Sequence, residues 1–511
     1  MKKSYAINYL KTYFWQSFTV FINLASMFIV IPMISDNKVV FGIYSICISM
    51  AIFLSYADLG FIKASLKYAA EHFAREERDA EIKLHGFSAF VLFIFVLVFV
   101  LLFLTFSYNP SWLISDINNT SHLHIASQLL LIQAFSSLIV VPQRFVSGIC
   151  QVRIEEYISQ IVVLVGAIFK ILSVYFFFGN NKYEIVEYFA FTKSIDFLVV
   201  LVALFIITRR YSIPILLMFK SFKFNKEVFN KTKKLAFGSI FVTLMWILYY
   251  ELDLIVIGKF LGATSVAIFA LALTFSKFLR VISSIIFSPF QSRFNHFVGL
   301  GDFDGLKRIL ISVIRFSLPI LVLTITSIVV LSDNIIVSWV GRDYLPSAPI
   351  LSLLAINFMF SFIATPASNL YVALEKIKEL YLSSFIMTSV FWFGIIATIS
   401  FLGIKSFAIF KLVSGFIVTL YYVRFIIKFL EIGVFSFIKL TLLTIVIPLF
   451  IQLVFLVGIK DMLPLDKGIF NLLLTVVLGA IGTLLGFITL YFTSKYYKIE
   501  YNSYIAKLSK K

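Results

Sequence analysis

The sequence has little charge, cysteine or histidine for its length. Charged residues make up 14% of the 511 residues, and there are 2 Cys, 5 His and 11 Pro. Because soluble proteins carry about 25% charged residues, this composition excludes a cytosolic enzyme and a disordered regulator. Cys47 and Cys150 both lie in apolar surroundings, which excludes a disulfide framework and a cysteine-built zinc site. The histidines lack metal-binding spacing, so we expect no metal and no cofactor.

Apolar residues fill the sequence instead. They make up 60% of it, and the mean hydropathy is +0.99. A helix needs about 20 apolar residues to cross the roughly 30 Å hydrocarbon core of a bilayer. The sequence therefore predicts an all-α polytopic membrane protein with about 14 transmembrane helices. The predicted spans are 13–33, 39–61, 87–107, 123–147, 158–179, 185–208, 235–258, 265–290, 309–332, 349–371, 381–401, 406–427, 436–457 and 469–494.

The basic residues predict the orientation. Most of those outside the spans fall in alternate connecting segments, beginning with the N-terminal one. Since Lys and Arg are enriched in cytoplasmic loops, both termini are expected to be cytoplasmic. The net charge of +18 is then explained by these segments and by contact with anionic membrane lipids, not by nucleic acid.

An internal repeat is a second pattern in the sequence. At an offset of 224 residues, several loop residues coincide; the pairs are His72 and His296, Lys83 and Lys307, Pro142 and Pro366, Glu155 and Glu379, Tyr157 and Tyr381. These matches predict two homologous six-helix bundles around a central cavity, followed by a helix pair. We expect an N-terminal bundle at 1–208, a basic cytoplasmic linker at 209–234, the repeated bundle at 235–430, and helices 13–14 with a basic tail at 431–511.

Charged residues within the spans are the candidate functional residues. A charge in hydrocarbon costs about 2.5–3.5 kcal/mol, so such residues usually face protein or water. The cations assigned to the spans are Lys170, Lys193, Lys277, Arg280, Arg315 and Lys411. They outnumber the acids, which predicts a cavity that favours anionic cargo. Two alternatives stay open: Lys193 could pair with Asp196, and Arg315 and Lys411 could extend to the membrane surface.

Three acidic residues are candidates for ion coupling. Glu251 and Asp253 lie towards the outer end of the seventh span, and Asp196 lies in the sixth. A carboxylate inside a membrane protein is a natural site for a coupling proton or sodium ion.

Two motifs resemble those of a known family. Residues 56–60, Tyr-Ala-Asp-Leu-Gly, resemble the ADLG-type signature of bacterial polysaccharide exporters, and residues 251–262 resemble their second-half D…IGKFLG motif. The resemblance is to the O-antigen and capsule repeat-unit flippases of the Wzx type, in the superfamily of multidrug exporters and lipid II flippases. It makes Asp58, Gly60 and Gly258 motif positions. A structural alternative is that Asp58 caps the following segment and Gly60 permits close helix contact.

The resemblance implies a function. Such a protein would move undecaprenyl-pyrophosphate-linked oligosaccharides from the inner to the outer leaflet of a bacterial plasma membrane by alternating access. The implied partners are this lipid-linked oligosaccharide, a coupling H⁺ or Na⁺, and polysaccharide polymerase machinery.

Two other functions fit the sequence less well. A drug exporter of the same superfamily is disfavoured by the excess of buried cations and by fourteen spans instead of twelve. A membrane enzyme, such as a repeat-unit polymerase or ligase, would be expected to carry a sizeable outer loop with catalytic residues. The longest outer loops, 107–123 and 331–349, are short and hold no nucleophile–base arrangement. We therefore expect a transporter with no catalytic residues.

Overall fold

The protein is described by a computed structural model that covers residues 2–58, 60–117, 119–180 and 182–499. Residue Leu59 of the first motif and the basic tail from residue 500 onwards lie outside these ranges. All regular secondary structure within the ranges is helical. The α-helices are α1 (Lys2–Ile34), α2 (Lys38–Ile52), α3 (Phe61–Ala74), α4 (Arg78–Tyr108), α5 (Thr120–Ser136), α6 (Val140–Val152), α7 (Tyr157–Phe178), α8 (Ile185–Arg210), α9 (Ile215–Ser221), α10 (Lys226–Tyr250), α11 (Asp253–Leu300), α12 (Phe303–Val330), α13 (Ser332–Val340), α14 (Ser347–Met359), α15 (Ser361–Ala373), α16 (Ile377–Leu402), α17 (Lys405–Leu430), α18 (Val434–Leu440), α19 (Leu442–Lys460) and α20 (Ile469–Thr493).

The helices are long and apolar enough for a multi-pass membrane protein, which confirms the predicted class. Among the described residues, 12 helical stretches could cross a membrane, and a thirteenth is formed by α14 and α15, bent by 46°. One of the 12 stretches is Ile240–Leu300, whose 61 residues contain most of predicted span seven and all of span eight. Because a span needs about 20 residues, this stretch is long enough for two. The expectation of about fourteen spans is thus roughly met.

The chain divides into two compact units, with the boundary after Ala267, inside α11. In the first unit, α4 packs against α3, α5, α6 and α9, while α8 packs against α5, α6 and α7. Helix α1 lies along α7, and α10 lies along α3.

The second unit repeats this packing and adds a helix pair. Here α12 packs against α14 and α15, and α17 packs against α14, α15 and α16. Helices α19 and α20 pair with each other and also contact α12. The side-chain amide of Gln452 on α19 is buried and donates a hydrogen bond of 2.8 Å to the carbonyl oxygen of Leu323 on α12.

Left-handed residues mark equivalent positions in the two units. Few residues have positive φ, and five of those in the first unit recur about 220 residues later at the end of a matching helix or in a matching loop. The pairs are Glu76 and Gly301, Asp116 and Gly341, Ile154 and Glu375, Asn180 and Gly403, Ser212 and Glu431. The two units therefore share a chain path through these helices.

The structure changes the register of the repeat in one region. Helices α6 and α15 are both 13 residues long, and each is followed by a left-handed residue, Ile154 or Glu375. In this alignment Pro142 is the third residue of α6, whereas Pro366 is the sixth of α15. The sequence match of these prolines, and of Glu155 with Glu379, is therefore displaced by nearly one helical turn.

The basic segment 209–234 is mostly helical. It holds the end of α8, the short helix α9 and the start of α10. Its aromatic residues pack on α4: the Phe222 ring centroid lies 5.7 Å from that of Phe90 and 5.5 Å from that of Phe93. This packing explains the apolar residues found among the basic ones.

Candidate functional site

A partly exposed ion pair joins two of the predicted site residues in the first unit. Lys170 on α7 donates a hydrogen bond to a carboxylate oxygen of Asp196 on α8. The side chains are 27% and 42% exposed, respectively, so both reach the lining of a cavity. The sequence predicted Lys193 as a partner of Asp196 by its spacing, but the direct ion pair is made by Lys170.

The cavity beside this pair has a volume of about 160 Å³. Three uncharged polar side chains complete its polar lining: Asn23 and Ser26 from α1, and Gln143 from α6. The sequence reasoning missed these residues because it considered only charged ones, although an amide in an apolar span is also a usable signal. With polar side chains on four helices, α1, α6, α7 and α8, the cavity can hold hydroxyl or other hydrogen-bonding groups.

Lys193 lies one turn from this pair and faces a different recess. Its ammonium group sits 5.0 Å from the ring centroid of Phe189. It lines a mainly apolar cavity of about 740 Å³ between α5 and α8, which also includes Phe135 and Pro142. The two lysines predicted on α7 and α8 therefore serve separate cavities.

The acidic pair Glu251 and Asp253 lies at a break between two helices of the first unit. Helix α10 ends at Tyr250 and α11 begins at Asp253. Both side chains are buried, with 4% of Glu251 and 0% of Asp253 exposed. Broken helices with buried carboxylates are typical of ion and substrate sites in transporters.

A chain of hydrogen bonds reaches Glu251. The Trp246 indole N–H donates to the Tyr56 hydroxyl at 3.0 Å, and that hydroxyl donates to Glu251 Oε1 at 3.2 Å. The Ser49 hydroxyl donates to the backbone carbonyl of Glu251 at 3.3 Å. The turn after α2 thus holds the Glu251 carboxylate through Tyr56, and the end of α2 holds its backbone through Ser49, so this motif region and Glu251 meet in space.

The motif residues Asp58 and Gly60 shape the start of α3. Asp58 Oδ2 accepts a hydrogen bond of 3.0 Å from the backbone N–H of Ile62. This is the capping role proposed as the structural alternative. Gly60 has a φ of 83°, a left-handed conformation that favours glycine over residues with a Cβ.

Gly258 of the second motif lies where two helices of the first unit touch. A Cβ at this position would lie 2.6 Å from Ile46 Cδ1 on α2, so only glycine fits without a shift. Its carbonyl oxygen also accepts a hydrogen bond of 3.0 Å from the backbone N–H of Ser115. The glycine thus holds the start of α11 close to α2.

The predicted cations of the second unit have different surroundings. Lys411 on α17 is only 4% exposed, and its ammonium group lies 4.8 Å from the ring centroid of Phe391. It is therefore buried in the unit and does not extend to its surface. Lys277 and Arg280 on α11 are half-buried.

Arg315 contacts the segment that follows α20. Its guanidinium lies 4.0 Å from the Tyr496 ring centroid, and its backbone carbonyl accepts a hydrogen bond of 2.6 Å from the Tyr497 hydroxyl. These contacts join Arg315 on α12 to the segment that follows α20.

A buried ion pair that no sequence pattern indicates lies near the start of α4. Arg153 donates two hydrogen bonds to Glu81, one of them 3.0 Å from Nη2 to Oε2, and Glu81 is only 1% exposed. The guanidinium lies 4.8 Å from the ring centroids of both Phe73 and Tyr211. In the sequence both charged residues fall in connecting segments between predicted spans, where no periodic pattern of apolar residues indicates which side chains are buried.

A second ion pair lies beside the first. Arg210 at the end of α8 donates two hydrogen bonds of 2.9 Å to Glu155, and the Tyr211 hydroxyl donates a third, of 2.5 Å. The Arg210 hydrogen bond holds the pKa of Glu155 below its usual value, while partial burial opposes this shift. In each of the two pairs the carboxylate neutralises the guanidinium, so the four side chains together carry no net charge.

Neither a disulfide nor a metal cluster is present among the described residues. Cys47 and Cys150 are both buried and free, and no three His, Cys, Asp or Glu side chains in that part of the chain could hold a metal ion.

Comparison with known proteins identifies the family. Residues 10–294, more than half of the chain, match a family described as polysaccharide biosynthesis protein. The chain belongs to this family. No curated protein sequence matches this family member.

Solved structures of transporters have a similar fold. The lipid II flippase MurJ in an inward closed conformation superimposes with a TM-score of 0.67 at 16% identity, over 95% of this chain and 99% of that chain. An inward-facing multidrug resistance MATE family transporter of the MOP superfamily gives 0.59 at 13% identity, over 81% and 96%. A MATE structure in complex with MaL6 gives 0.51 at 13%, over 84% and 97%. At these identities the likeness shows a shared fold.

Proposed function

We propose that this protein is a flippase for lipid-linked oligosaccharides. It would move undecaprenyl-pyrophosphate-linked repeat units from the inner to the outer leaflet of a bacterial plasma membrane by alternating access. Membership of the polysaccharide biosynthesis family supports the cargo class, and the flippase-like fold supports the mode of transport. The observation that carries the proposal is the polar cavity beside Lys170 and Asp196, set among otherwise apolar helices.

The chemistry of the cargo fits buried cations. A pyrophosphate and a chain of sugars cannot cross hydrocarbon without polar surroundings. Lys170 and Lys193 in the first unit, with Lys277, Arg280 and Lys411 in the second, would supply positive charge along the cargo path. Asn23 and Gln143 would supply hydrogen bonds to sugar hydroxyls.

The break at Glu251 and Asp253 is our proposed coupling site. Binding of H⁺ or Na⁺ would neutralise a buried carboxylate, whose charged form is costly away from water. Glu251 is tied by hydrogen bonds to Tyr56 and Ser49 of the α2 region, so a change in its charge would alter the contact between α2 and the start of α11. This provides a physical route from ion binding to helix movement.

Orientation and partners complete the proposal. Both termini would be cytoplasmic, as the basic segments predict. Helices α19 and α20 would help accommodate the polyprenyl tail, which can stay in the lipid. The polymerase machinery that consumes the cargo would be a partner on the outer side.

The test is the leaflet distribution of lipid-linked repeat units in cells with and without the protein. Cells lacking it are expected to retain the intermediate in the inner leaflet, and the unaltered protein is expected to restore transport. Lys170→Met, Lys277→Ala, Arg280→Ala and Asp253→Asn variants that insert normally are expected to restore it poorly. Lys182→Met is the matched control, because Lys182 lies in the loop before α8 and pairs there with Glu184 at 3.6 Å.

The outcomes test the flippase function and the roles of the individual residues separately. Normal translocation without the protein would refute the flippase function. Full rescue by every charge variant would leave the function in place and assign those residues to packing. Export of organic cations, with no effect on the lipid-linked intermediate, would favour the alternative, a multidrug exporter of the same fold.

A further inference from the structure

A second charged cavity lies in the second unit, away from every residue assigned to transport above. Its volume is about 500 Å³, and it is formed by the start of α12, the loop between α15 and α16, and the last two turns of α17. Four cations line it: Lys307, Lys376, Arg424 and Lys428.

Acidic side chains match only part of this positive charge. Lys307 donates a hydrogen bond of 2.8 Å to Glu431, and Glu379 accepts one from the Tyr421 hydroxyl. Among the described residues, neither Arg424 nor Lys428 has an acidic side chain within ion-pairing distance. The cavity thus has two acids for four cations.

The walls of the cavity are aromatic. The Lys376 ammonium group lies 4.9 Å from the ring centroid of Phe425, and the rings of Phe303, Phe429 and Tyr371 also line the space. A site lined by both cations and aromatic rings suits a ligand with an anionic head and an apolar part.

The equivalent position of the first unit has no such excess of positive charge. Residue Glu155, directly after the left-handed Ile154, corresponds to Lys376, directly after the left-handed Glu375. In the first unit that glutamate accepts two hydrogen bonds from Arg210. The second unit has a lysine at this position, so its cavity lacks an acid that the first unit has here and gains a cation that an external anion can pair with.

We propose that this cavity binds the phosphate group of an anionic ligand, with the headgroup of a membrane phospholipid as one source and a free phosphate or pyrophosphate as the other. Lys376, Arg424 and Lys428 would contact the phosphate oxygens, since Lys and Arg form strong charge-assisted hydrogen bonds with phosphate. The cavity lies at the ends of α15 and α17, next to basic connecting segments. Basic pockets between membrane helices are known to bind the headgroups of anionic lipids.

The test uses the full-length protein purified in a neutral detergent. Binding is measured by native mass spectrometry after addition of phosphatidylglycerol, phosphatidylcholine or inorganic pyrophosphate. The pocket variant is Lys376→Gln with Arg424→Gln and Lys428→Gln. The matched control is Arg308→Gln with Lys378→Gln and Lys439→Gln, which removes three exposed cations from neighbouring segments outside the cavity.

The unaltered protein is expected to retain phosphatidylglycerol in preference to phosphatidylcholine. The pocket variant should bind it about tenfold or more weakly, because each basic residue contributes to anionic-lipid binding, while the control variant should bind as the unaltered protein does. If pyrophosphate shows this pattern and phosphatidylglycerol does not, the cavity binds phosphate from a soluble source. Equal binding of every ligand by the two triple variants would overturn the proposal.

A single substitution provides a second test in case the triple variant misfolds. Lys376→Glu restores the acid that the first unit carries at this position, and the side chain is exposed. It is expected to pair with the neighbouring cations and weaken anion binding about tenfold. Unchanged binding by this variant would also overturn the proposal. Neither result depends on transport activity.

Discussion

The buried ion pair of Glu81 and Arg153 allows a quantitative prediction. Their side chains are 1% and 9% exposed, and two hydrogen bonds join them. Removing one partner of such a pair leaves a buried charge alone and costs about 3–5 kcal/mol, whereas replacing both with apolar residues is often close to neutral. We therefore expect Glu81→Leu or Arg153→Met to lower the free energy of unfolding by about 3–5 kcal/mol. The double variant should lose less than either single variant.

The assay is reversible unfolding of the purified protein in mixed micelles, applied to both single variants and the double variant. The matched control is Arg210→Met, which breaks the outer pair with Glu155, where Arg210 is 46% exposed. Exposed pairs contribute about 1 kcal/mol or less, so this variant should be only slightly destabilised. Effects of the two buried substitutions that add to within about 0.5 kcal/mol would refute the reasoning, because additivity means that the partners do not interact.

Three further predictions concern helix contacts and charges. Gly42→Val should lower the free energy of unfolding by about 1–3 kcal/mol through overpacking, since a Cβ at this position would lie 1.9 Å from a backbone carbonyl oxygen. Gly299→Ala is the control and should not destabilise the protein, because the space around Gly299 is open. Equal melting temperatures of the two variants would contradict this prediction. Asp58→Ala should lower the free energy of unfolding by about 1 kcal/mol because the helix cap is lost, whereas Asp58→Asn should keep the cap and the stability. If the asparagine variant is stable but does not transport, the carboxylate has a role in transport instead. Arg210 lowers the pKa of Glu155 in the folded protein. Ionised Glu155 therefore adds to the free energy of unfolding above its unfolded-state pKa of about 4.3, and this contribution is lost as the pH falls through the lower folded-state pKa. Glu155→Gln should flatten this acid-side loss, and an unchanged pH profile of unfolding would argue against the interaction.

The predicted class of the protein followed from composition and hydrophobic runs. A bilayer imposes one simple requirement, about 20 apolar residues per helix, and this requirement is met locally along the chain. The multi-pass helical fold was therefore readable without any long-range contact. The repeat was also readable, although one stretch was aligned a helical turn out of register, because scattered identities do not fix where a helix ends. The left-handed residues after each helix, such as Ile154 and Glu375, do fix it.

The charged residues show that the sequence does not determine which side chains pair between helices. Spacing along one helix suggested Lys193 as a partner of Asp196, but the direct partner is Lys170, 26 positions away on the neighbouring helix. Helical periodicity identifies residues on one face of one helix and carries no information about which helix lies opposite. Lys411 illustrates the same limit, since its burial against Phe391 depends on how α16 packs on α17.

The sequence by itself determined that the chain crosses a membrane many times, that it contains a repeat, and which charges are costly enough to need an explanation. These properties depend on the local cost of placing each residue in hydrocarbon, which is set by residue type. Only the tertiary structure decided which charges pair, which glycines lie at helix contacts and which repeat keeps an open basic cavity. Those outcomes depend on distances of a few ångströms between helices far apart in the chain, where an ion pair either forms or does not.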